Sequence, residues 1–266
     1  MSNSVLSDAL RIPALNRLAN RRIVLASASP RRLDILRQFG LNPDVVPSKF
    51  AEDLPHDHFE NVYEYPVATA TEKAVDVYIR MVEQDPDNPP SLVIGADTVV
   101  LTKPPAAGSN IHDSLLPDVR PEILEKPSDK ADNLRMLLEL NGGRCEVVTG
   151  VSIVYPILTA PGYAIKYALI YTYVLRLTTS SFPVRSMDDR TIVYFYNSSI
   201  PVLEAYVDSG EGLDRAGGFA LQQRGAHLVS KIEGDFYNAV GFPGASFFRW
   251  LGILVEEEDD FLEDGL

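Results

Sequence analysis

The stretch RIVLASASPRR at residues 22–32 decides the fold, because it passes from a strand pattern to a helix pattern within one short loop. Its apolar run is typical of a buried strand. Ser29 suits the N-cap of a helix and Pro30 suits the first helical position. Apolar residues then recur at helical spacing as far as Gly40, a residue type that favours the C-terminal end of a helix. We therefore predict a strand–loop–helix unit.

The loop of this unit, residues 27–32, has the features of an anion site. A helix N-terminus presents unpaired backbone N–H groups and a partial positive charge, both of which suit a phosphate. Arg31 and Arg32 fall in the first helical turn, where a bound polyanion would relieve their conflict with the helix dipole. The alternative interpretation is that both arginines are solvated surface side chains.

Strand patterns alternate with helix patterns along the rest of the chain, which predicts an α/β fold with a mixed sheet. We expect strands at 44–48, 91–101, 145–154 and beyond, 191–196 and 227–232, and helices at 67–82, 129–140, 200–207 and 245–255. Ser128 is the expected cap of the second of these helices. Residues 183–190 and 214–225 look like loops.

The length of 266 residues, 45% of them hydrophobic, suits one large domain or two lobes that share a sheet. We expect an N-terminal extension at 1–21 and one main domain at 22–255. Two insertions, at about 103–122 and 156–187, enlarge this domain. An acidic, solvated tail at 256–266 follows it.

The formal net charge of −13 argues against a nucleic-acid-binding protein, which needs a broad basic face. The single cysteine, Cys145, fits a reducing compartment, so we expect a cytoplasmic protein. The most apolar stretch, 151–177, is interrupted by Pro156, Pro161 and Lys166. We interpret it as strands with a turn at Pro161, so no membrane association is expected.

A carboxylate within an apolar strand is the strongest single candidate for chemistry. Asp97 interrupts the run SLVIGADTVVL at residues 91–101. Burying an unpaired charge costs several kcal/mol, so this side chain must be paired, metal-bound or functional. The alternative is an aspartate that caps a neighbouring helix. Thr98 should point to the opposite face of the strand if its pairing is regular.

Two lysines could complete a cationic clamp around a polyphosphate. Lys73 lies in the predicted helix at 67–82, and Lys126 precedes Pro127 just before the next helix. Each lysine alone is more often a solvated side chain. Together with Arg31 and Arg32 they would supply the positive charge that a triphosphate requires.

Other common catalytic designs are not evident in the sequence. We find no serine–histidine–acid triad, no zinc-ligand spacing among the four histidines, and no GxxxxGK[ST] phosphate loop. The missing phosphate loop argues against the way in which kinases and G proteins of that type bind phosphates.

Seven ordered blocks, taken together, make the sequence resemble the Maf family of nucleotide pyrophosphatases. They are LASASPRR at 25–32, EKA at 72–74, GADTVV at 95–100, LEKP at 124–127, VTGV at 148–151, LDRAG at 213–217 and GDFYNAVG at 234–241. The resemblance covers most of residues 22–253 and implies an elongated Maf or inosine-triphosphatase-like α/β fold. A cleft between two lobes would hold the site, and homodimers would be expected.

The resemblance also implies a reaction and roles for named residues. Water would attack the α-phosphorus of a nucleoside triphosphate and release pyrophosphate, with help from a divalent cation, Mg²⁺ or Mn²⁺. Asp97 matches the family's catalytic aspartate, which would act as the general base or hold the metal. Glu52 matches an acidic position that assists the metal. The phosphate-binding positions of the family match Ser27, Arg31, Lys73 and Lys126.

Three further positions separate subgroups of the family and match Arg32, Thr98 and Gln222. This combination resembles the subgroup that acts on dTTP and UTP rather than on 7-methyl-GTP. The amide of Gln222 offers both a donor and an acceptor to a pyrimidine edge. Cys145, Ala220 and Gln223 depart from the family's usual residues.

Two functions remain open at this point. The first is a pyrophosphatase acting on dTTP, UTP or modified pyrimidine nucleotides. The second is a catalytically weak, nucleotide-binding regulator of cell division. Retention of Asp97, Lys73 and Lys126 favours the enzyme.

Overall fold

A mixed β-sheet of seven strands organises the part of the chain that the computed structural model describes, residues 4–102, 121–156, 184–257 and 261–262. Its strands are β1 (Ile23–Leu25), β2 (Asp44–Val45), β3 (Leu92–Thr102), β4 (Ile123–Leu124), β5 (Arg144–Val154), β6 (Val184–Phe195) and β7 (Val229–Glu233). They lie in the order β2-β1-β3-β5-β6-β7, and β4 pairs with β3. The predicted α/β class with a mixed sheet is confirmed.

Seven α-helices flank this sheet within the same described residues. They are α1 (Pro13–Leu18), α2 (Pro30–Gln38), α3 (Glu64–Gln84), α4 (Lys130–Leu140), α5 (Ile200–Asp208), α6 (Phe236–Val240) and α7 (Gly244–Glu257). No helix in this part of the chain has the length and apolarity that a bilayer span requires.

Strand direction changes at β3, in the middle of the sheet. β1 runs parallel to both β2 and β3, whereas β5 pairs antiparallel to β3 and to β6. The opening strand–loop–helix unit is therefore the parallel part of the sheet, as a crossover connection requires.

Successive residues of β3 face opposite sides of the sheet, and this alternation divides the hydrophobic core into one part on each side. Ile94 and Ala96 pack with α2 and α7 on one side, whereas Val93 packs with α3 on the other. A further cluster packs α4 and α5 against the far ends of β3, β5 and β6. Asp97 therefore faces α3, and Thr98 faces away from it.

Helix α3 lies unusually close to the sheet because two glycines face it. A Cβ atom on Gly95 would lie 2.0 Å from the carbonyl oxygen of Ala70, and one on Gly150 would lie 2.4 Å from the backbone nitrogen of Val67. Neither position can carry a side chain without moving the helix. This close packing brings the α3 side chains to the centre of β3.

Two predictions about the elements were wrong. Residues 184–190 form the first half of β6 rather than a loop, because each pairs with β5. The N-cap of α4 is Asp129, whose carboxylate accepts from the backbone N–H of Asp132, and not Ser128. Residues 103–120 and 157–183, which hold most of both predicted insertions and the turn at Pro161, lie outside the described residues.

The segments at both ends of the described chain contribute to the core. Leu15 and Leu18 of α1 are buried, and α1 packs against α7. Phe261 is also buried, its ring packing edge-on against Tyr155 at 5.0 Å, while its carbonyl oxygen accepts from Arg17 Nε. The predicted solvated tail thus contains an anchored apolar residue.

Candidate active site

A cleft of about 230 Å³ brings together eight of the nine predicted site residues. The loop between β1 and α2, helix α3, strand β3 and the LDRAG segment all contribute to its walls. The predicted residues that line it are Ser27, Arg31, Arg32, Glu52, Lys73, Asp97, Thr98 and Lys126. The ninth, Gln222, is exposed and does not line it.

A buried ion pair forms the floor of the cleft. Lys73 of α3 and Asp97 of β3 are only 6% and 8% exposed, and Lys73 Nζ donates to Asp97 Oδ1 at 2.8 Å. Asp97 pairs with Gly150 across the β3–β5 ladder, at the point where the glycines allow α3 to approach. The carboxylate that interrupts the apolar strand is therefore paired, which offsets the cost of its burial.

A second carboxylate reaches the same lysine from the rim of the cleft. Glu52 Oε2 lies 2.6 Å from Lys73 Nζ, and the Glu52 side chain is largely exposed. The backbone of Glu52 adopts a positive φ of 26°, a conformation that residues other than glycine rarely take. Backbone strain of this kind, about 1–3 kcal/mol, is concentrated at functional sites.

Arg32 cross-links three segments on the other side of β3. Its Nη1, Nη2 and Nε atoms donate to Ser27 Oγ at 3.1 Å, Thr98 Oγ1 at 3.1 Å and the carbonyl oxygen of Gly241 at 3.0 Å. Burial lowers the pKa of the guanidinium, and the nearby Asp97 and Glu52 oppose that shift. Arg32 therefore ties the first loop to β3 and to the GDFYNAVG segment.

The outer cations of the cleft gather around one carboxylate, Asp214. Lys126 Nζ lies 3.0 Å from Asp214 Oδ1, and Arg31 Nη1 lies 3.5 Å from Asp214 Oδ2. Arg215 Nη1 is 3.2 Å from the same Oδ2 atom. Partial burial acts to raise the pKa of Asp214, but the hydrogen bond from Lys126 and the charges of all three cations lower it overall.

Sequence reasoning gave no role to Asp214 or Arg215, although both belong to the LDRAG block. The available signal was an adjacent acid and base inside a glycine-bearing segment at 210–218. Several contacts hold this segment in place. The fully buried Asn133 donates to the carbonyl oxygen of Gly218 at 2.8 Å. The N–H of Gly217 donates to the carbonyl oxygen of Glu125 at 3.0 Å.

Glu125, the residue before Lys126, also helps to hold Lys126 in place. Sequence reasoning gave it no role either. Tyr65 of α3 is buried and donates its hydroxyl to Glu125 Oε1 at 2.6 Å. Burial first, and then this hydrogen bond to Glu125, raise the pKa of Tyr65. The segment that carries Lys126 is thus attached to the same helix that carries Lys73.

The carboxylate oxygens in the cleft suit a divalent cation that is bound jointly by the protein and the substrate. Glu52 and Asp97 each contact Lys73 through one oxygen and offer further lone pairs. Within the described residues, no group of three or more histidine, cysteine, aspartate or glutamate side chains is arranged to hold a metal alone. Mg²⁺ is commonly bound by one or two carboxylates together with substrate phosphates, so these residues fit it.

Comparison with known proteins agrees with this geometry. A human protein named "Probable bifunctional dTTP/UTP pyrophosphatase/methyltransferase protein" is 39% identical over 239 residues, which cover 90% of this chain but only 33% of the human protein. Proteins named "dTTP/UTP pyrophosphatase" from Schizosaccharomyces pombe and Acetivibrio thermocellus are each 34% identical. They match 91% and 90% of this chain, and 87% and 95% of their own lengths.

The family model described as "Maf-like protein" matches residues 22–253. That range includes every strand of the sheet and every residue that lines the cleft. The chain therefore belongs to the Maf-like protein family.

Proposed function

We propose that this protein hydrolyses dTTP and UTP to the nucleoside monophosphate and pyrophosphate. The observation that carries the proposal is the buried Lys73–Asp97 pair at the floor of a cleft whose rim carries Arg31 and Lys126. The names of the yeast and bacterial relatives support the same reaction and pyrimidine substrates, and they do not favour the alternative of a catalytically weak regulator.

In this proposal the cations bind and orient the triphosphate. A nucleoside triphosphate brings about four negative charges, which must be offset before a nucleophile can approach. Arg31, Lys126 and the backbone N–H groups at the start of α2 would contact the phosphates. Ser27 Oγ already accepts from the N–H of Ser29 and from Arg32, so its position in the loop is fixed.

Asp97 is the group that we assign to the attacking water. Its carboxylate lines the cleft, and its Oδ1 atom is fixed by Lys73, which leaves Oδ2 to accept a proton from water. When bound, Mg²⁺ or Mn²⁺ held by Glu52, Asp97 and substrate oxygens would neutralise phosphate charge. Lys73 would orient Asp97 and add positive charge beside the α-phosphate.

Arg32 and Thr98 would act on substrate choice through the shape of the cleft. Both contact the carbonyl oxygen of Gly241, and Thr98 Oγ1 also lies 3.0 Å from Thr149 Oγ1. The role predicted for Gln222 in contacting the base stays a prediction. A cytoplasmic location, supported by the single cysteine of the chain, and a homodimer are parts of the same proposal.

The test is turnover of dTTP, UTP and 7-methyl-GTP by the purified protein with Mg²⁺ or Mn²⁺ in ¹⁸O-labelled water. We expect the two pyrimidine nucleotides to give pyrophosphate and a monophosphate that carries the label. Asp97→Asn should reduce the rate about 10²- to 10⁴-fold, the usual contribution of a general base. Orthophosphate as the product, label in pyrophosphate, or tight binding without turnover would each contradict the proposal.

A further inference from the structure

The carboxylate of Asp214 occupies the part of the cleft where the cations for the phosphate tail meet. It lies within 3.0–3.5 Å of Lys126, Arg31 and Arg215, and it is the acceptor common to all three. Lys73, by contrast, is paired with Glu52 and Asp97. The inner and outer cations of the cleft thus have separate counter-charges.

The backbone of Asp214 is held by two hydrogen bonds, whereas its carboxylate is largely exposed. Arg31 Nη2 and Arg215 Nη1 donate to the Asp214 carbonyl oxygen at 3.2 Å and 3.0 Å. The carboxyl-bearing side chain is 66% exposed. The Lys126–Asp214 pair is exposed on both sides, and an exposed ion pair contributes little to stability, so separating these two groups costs little.

A polyphosphate would compete for these cations with an advantage. A pyrophosphate or triphosphate group carries more negative charge than a single carboxylate, and phosphates form strong, often bidentate contacts with arginine. Once a phosphate contacts Arg31 and Lys126, the negative charge of Asp214 lies close to it and repels it. The Asp214 carboxylate therefore holds the two cations together when no ligand is bound, and it repels a phosphate that has bound to them.

We propose that Asp214 is an exchangeable counter-anion, which holds Arg31 and Lys126 together in the empty cleft and gives way to the polyphosphate tail of a bound ligand. The inference rests on the proposed function for the identity of that ligand. Its consequence is that Asp214 weakens the binding of the pyrophosphate product and so favours its release. Asp214 is a positioning residue in this account, because it acts through the cations.

The test compares the affinity of inorganic pyrophosphate for the wild-type protein, Asp214→Asn and Asp208→Asn by isothermal titration calorimetry. Asp208 is the matched control, because its carboxylate pairs with Lys130 at the same 3.0 Å distance and does not line the cleft. We expect Asp214→Asn to bind pyrophosphate about three- to tenfold more tightly, because a competing negative charge is removed. Asp208→Asn should bind it with unchanged affinity.

Unchanged or weaker pyrophosphate binding by Asp214→Asn would overturn the inference, as would equal tightening in the Asp208→Asn control. A merely structural role predicts weaker binding, since disturbing the LDRAG segment would disperse the cations. Asp214→Ser, which also lacks the charge, should tighten binding in the same direction if the asparagine variant does not fold. Turnover of dTTP by the wild-type protein is measured separately, so a failure of the proposed reaction would be distinguished from a failure of this inference.

Discussion

Lys73 joins the two carboxylates that we assign to catalysis and to the metal. Its ammonium group is almost completely buried and lies 2.6 Å from Glu52 and 2.8 Å from Asp97. A buried charge of this kind is stable only with its partners, and the partners depend on it equally. The Lys73–Asp97 pair is therefore a structural requirement of the cleft as well as the centre of the site that we propose.

Replacing Lys73 should expose that dependence as a loss of stability. Lys73→Met leaves Asp97 largely buried without its cation, so we expect the free energy of unfolding in urea to fall by about 3 kcal/mol. Lys130→Met is the control, because its ion pair with Asp208 is exposed and should be worth less than about 1 kcal/mol. Similar small losses for both variants would show that the Lys73 pair is not a buried one.

At the scale of elements, the contact between α3 and the sheet sets the geometry of the cleft. Gly95→Ala places a Cβ atom against the carbonyl oxygen of Ala70 and pushes α3, with Lys73, away from Asp97. We expect the variant to lose at least about 1–3 kcal/mol of stability and most of its dTTP turnover.

The matched control for that change is Gly252→Ala in α7. A Cβ atom there would meet nothing within 4 Å, so the variant should keep its activity and gain about 0.4–1 kcal/mol. Thermal and urea unfolding of both variants check the pair of expectations. If Gly95→Ala were as stable and active as Gly252→Ala, the close approach of α3 would be wrong.

Helix α5 supports the segment that follows LDRAG through Tyr206. The Tyr206 hydroxyl accepts from the N–H of Ala220 at 3.0 Å, and burial followed by the charge of Glu211 raises the pKa of Tyr206 to about 12. This value lies above the unfolded pKa of about 10. The neutral hydroxyl therefore favours folding below pH 10, and that contribution is lost as the pH rises through 12.

Tyr206→Phe should remove this pH dependence. The variant should lose about 1–3 kcal/mol near pH 7, because the N–H of Ala220 loses its acceptor. Its free energy of unfolding should then fall less steeply between pH 10 and 12 than that of the wild-type protein. Urea unfolding at several pH values measures both effects, and identical slopes would contradict the assignment.

Local patterns predicted the elements whose signal lies in neighbouring residues. Pro30 and Gly40 mark the ends of the unit around α2, and the two-residue period of β3 sends Asp97 and Thr98 to opposite faces, as observed. The first half of β6 was missed because most of its residues are polar and none of them is buried. Only pairing with β5, a long-range contact, identifies it as a strand.

The same distinction holds for the site. Asp97, Lys73 and the loop arginines could be predicted, because a buried charge or a charged helix start is conspicuous in sequence. Asp214 and Glu125 were given no role, since the contacts that make them important join them to residues about 60 to 180 positions away, such as Tyr65 and Arg31. Such contacts leave no periodic trace in the sequence.

On the scale of the whole molecule, the segments outside the family match complete the core. Phe261 is 1% exposed, and it contacts both Tyr155 and Arg17 of α1. Phe261→Ala should lower the free energy of unfolding by about 3 kcal/mol through lost burial. Phe236→Ala, at a half-exposed position, should cost less than about 1 kcal/mol. Equal losses in urea unfolding would show that the C-terminal segment is not anchored.

A protein with a net charge of −13 can still bind a polyphosphate, because the cations of the cleft act over short distances. The Debye length in the cell is about 8 Å, so most of the surface acidity is screened from the site. We infer that the Lys73–Asp97 pair and the cations Arg31 and Lys126 of the same cleft, rather than the overall charge, determine what binds.

The most direct measurement is a crystal structure of Asp97→Asn bound to Mg²⁺ and a dTTP analogue with a non-hydrolysable α,β-imido bridge. The account predicts that the α-phosphate lies beside residue 97 and Lys73, with the remaining phosphates on Arg31 and Lys126. A triphosphate bound outside this cleft, or bound in it with the α-phosphate far from residue 97, would contradict the account.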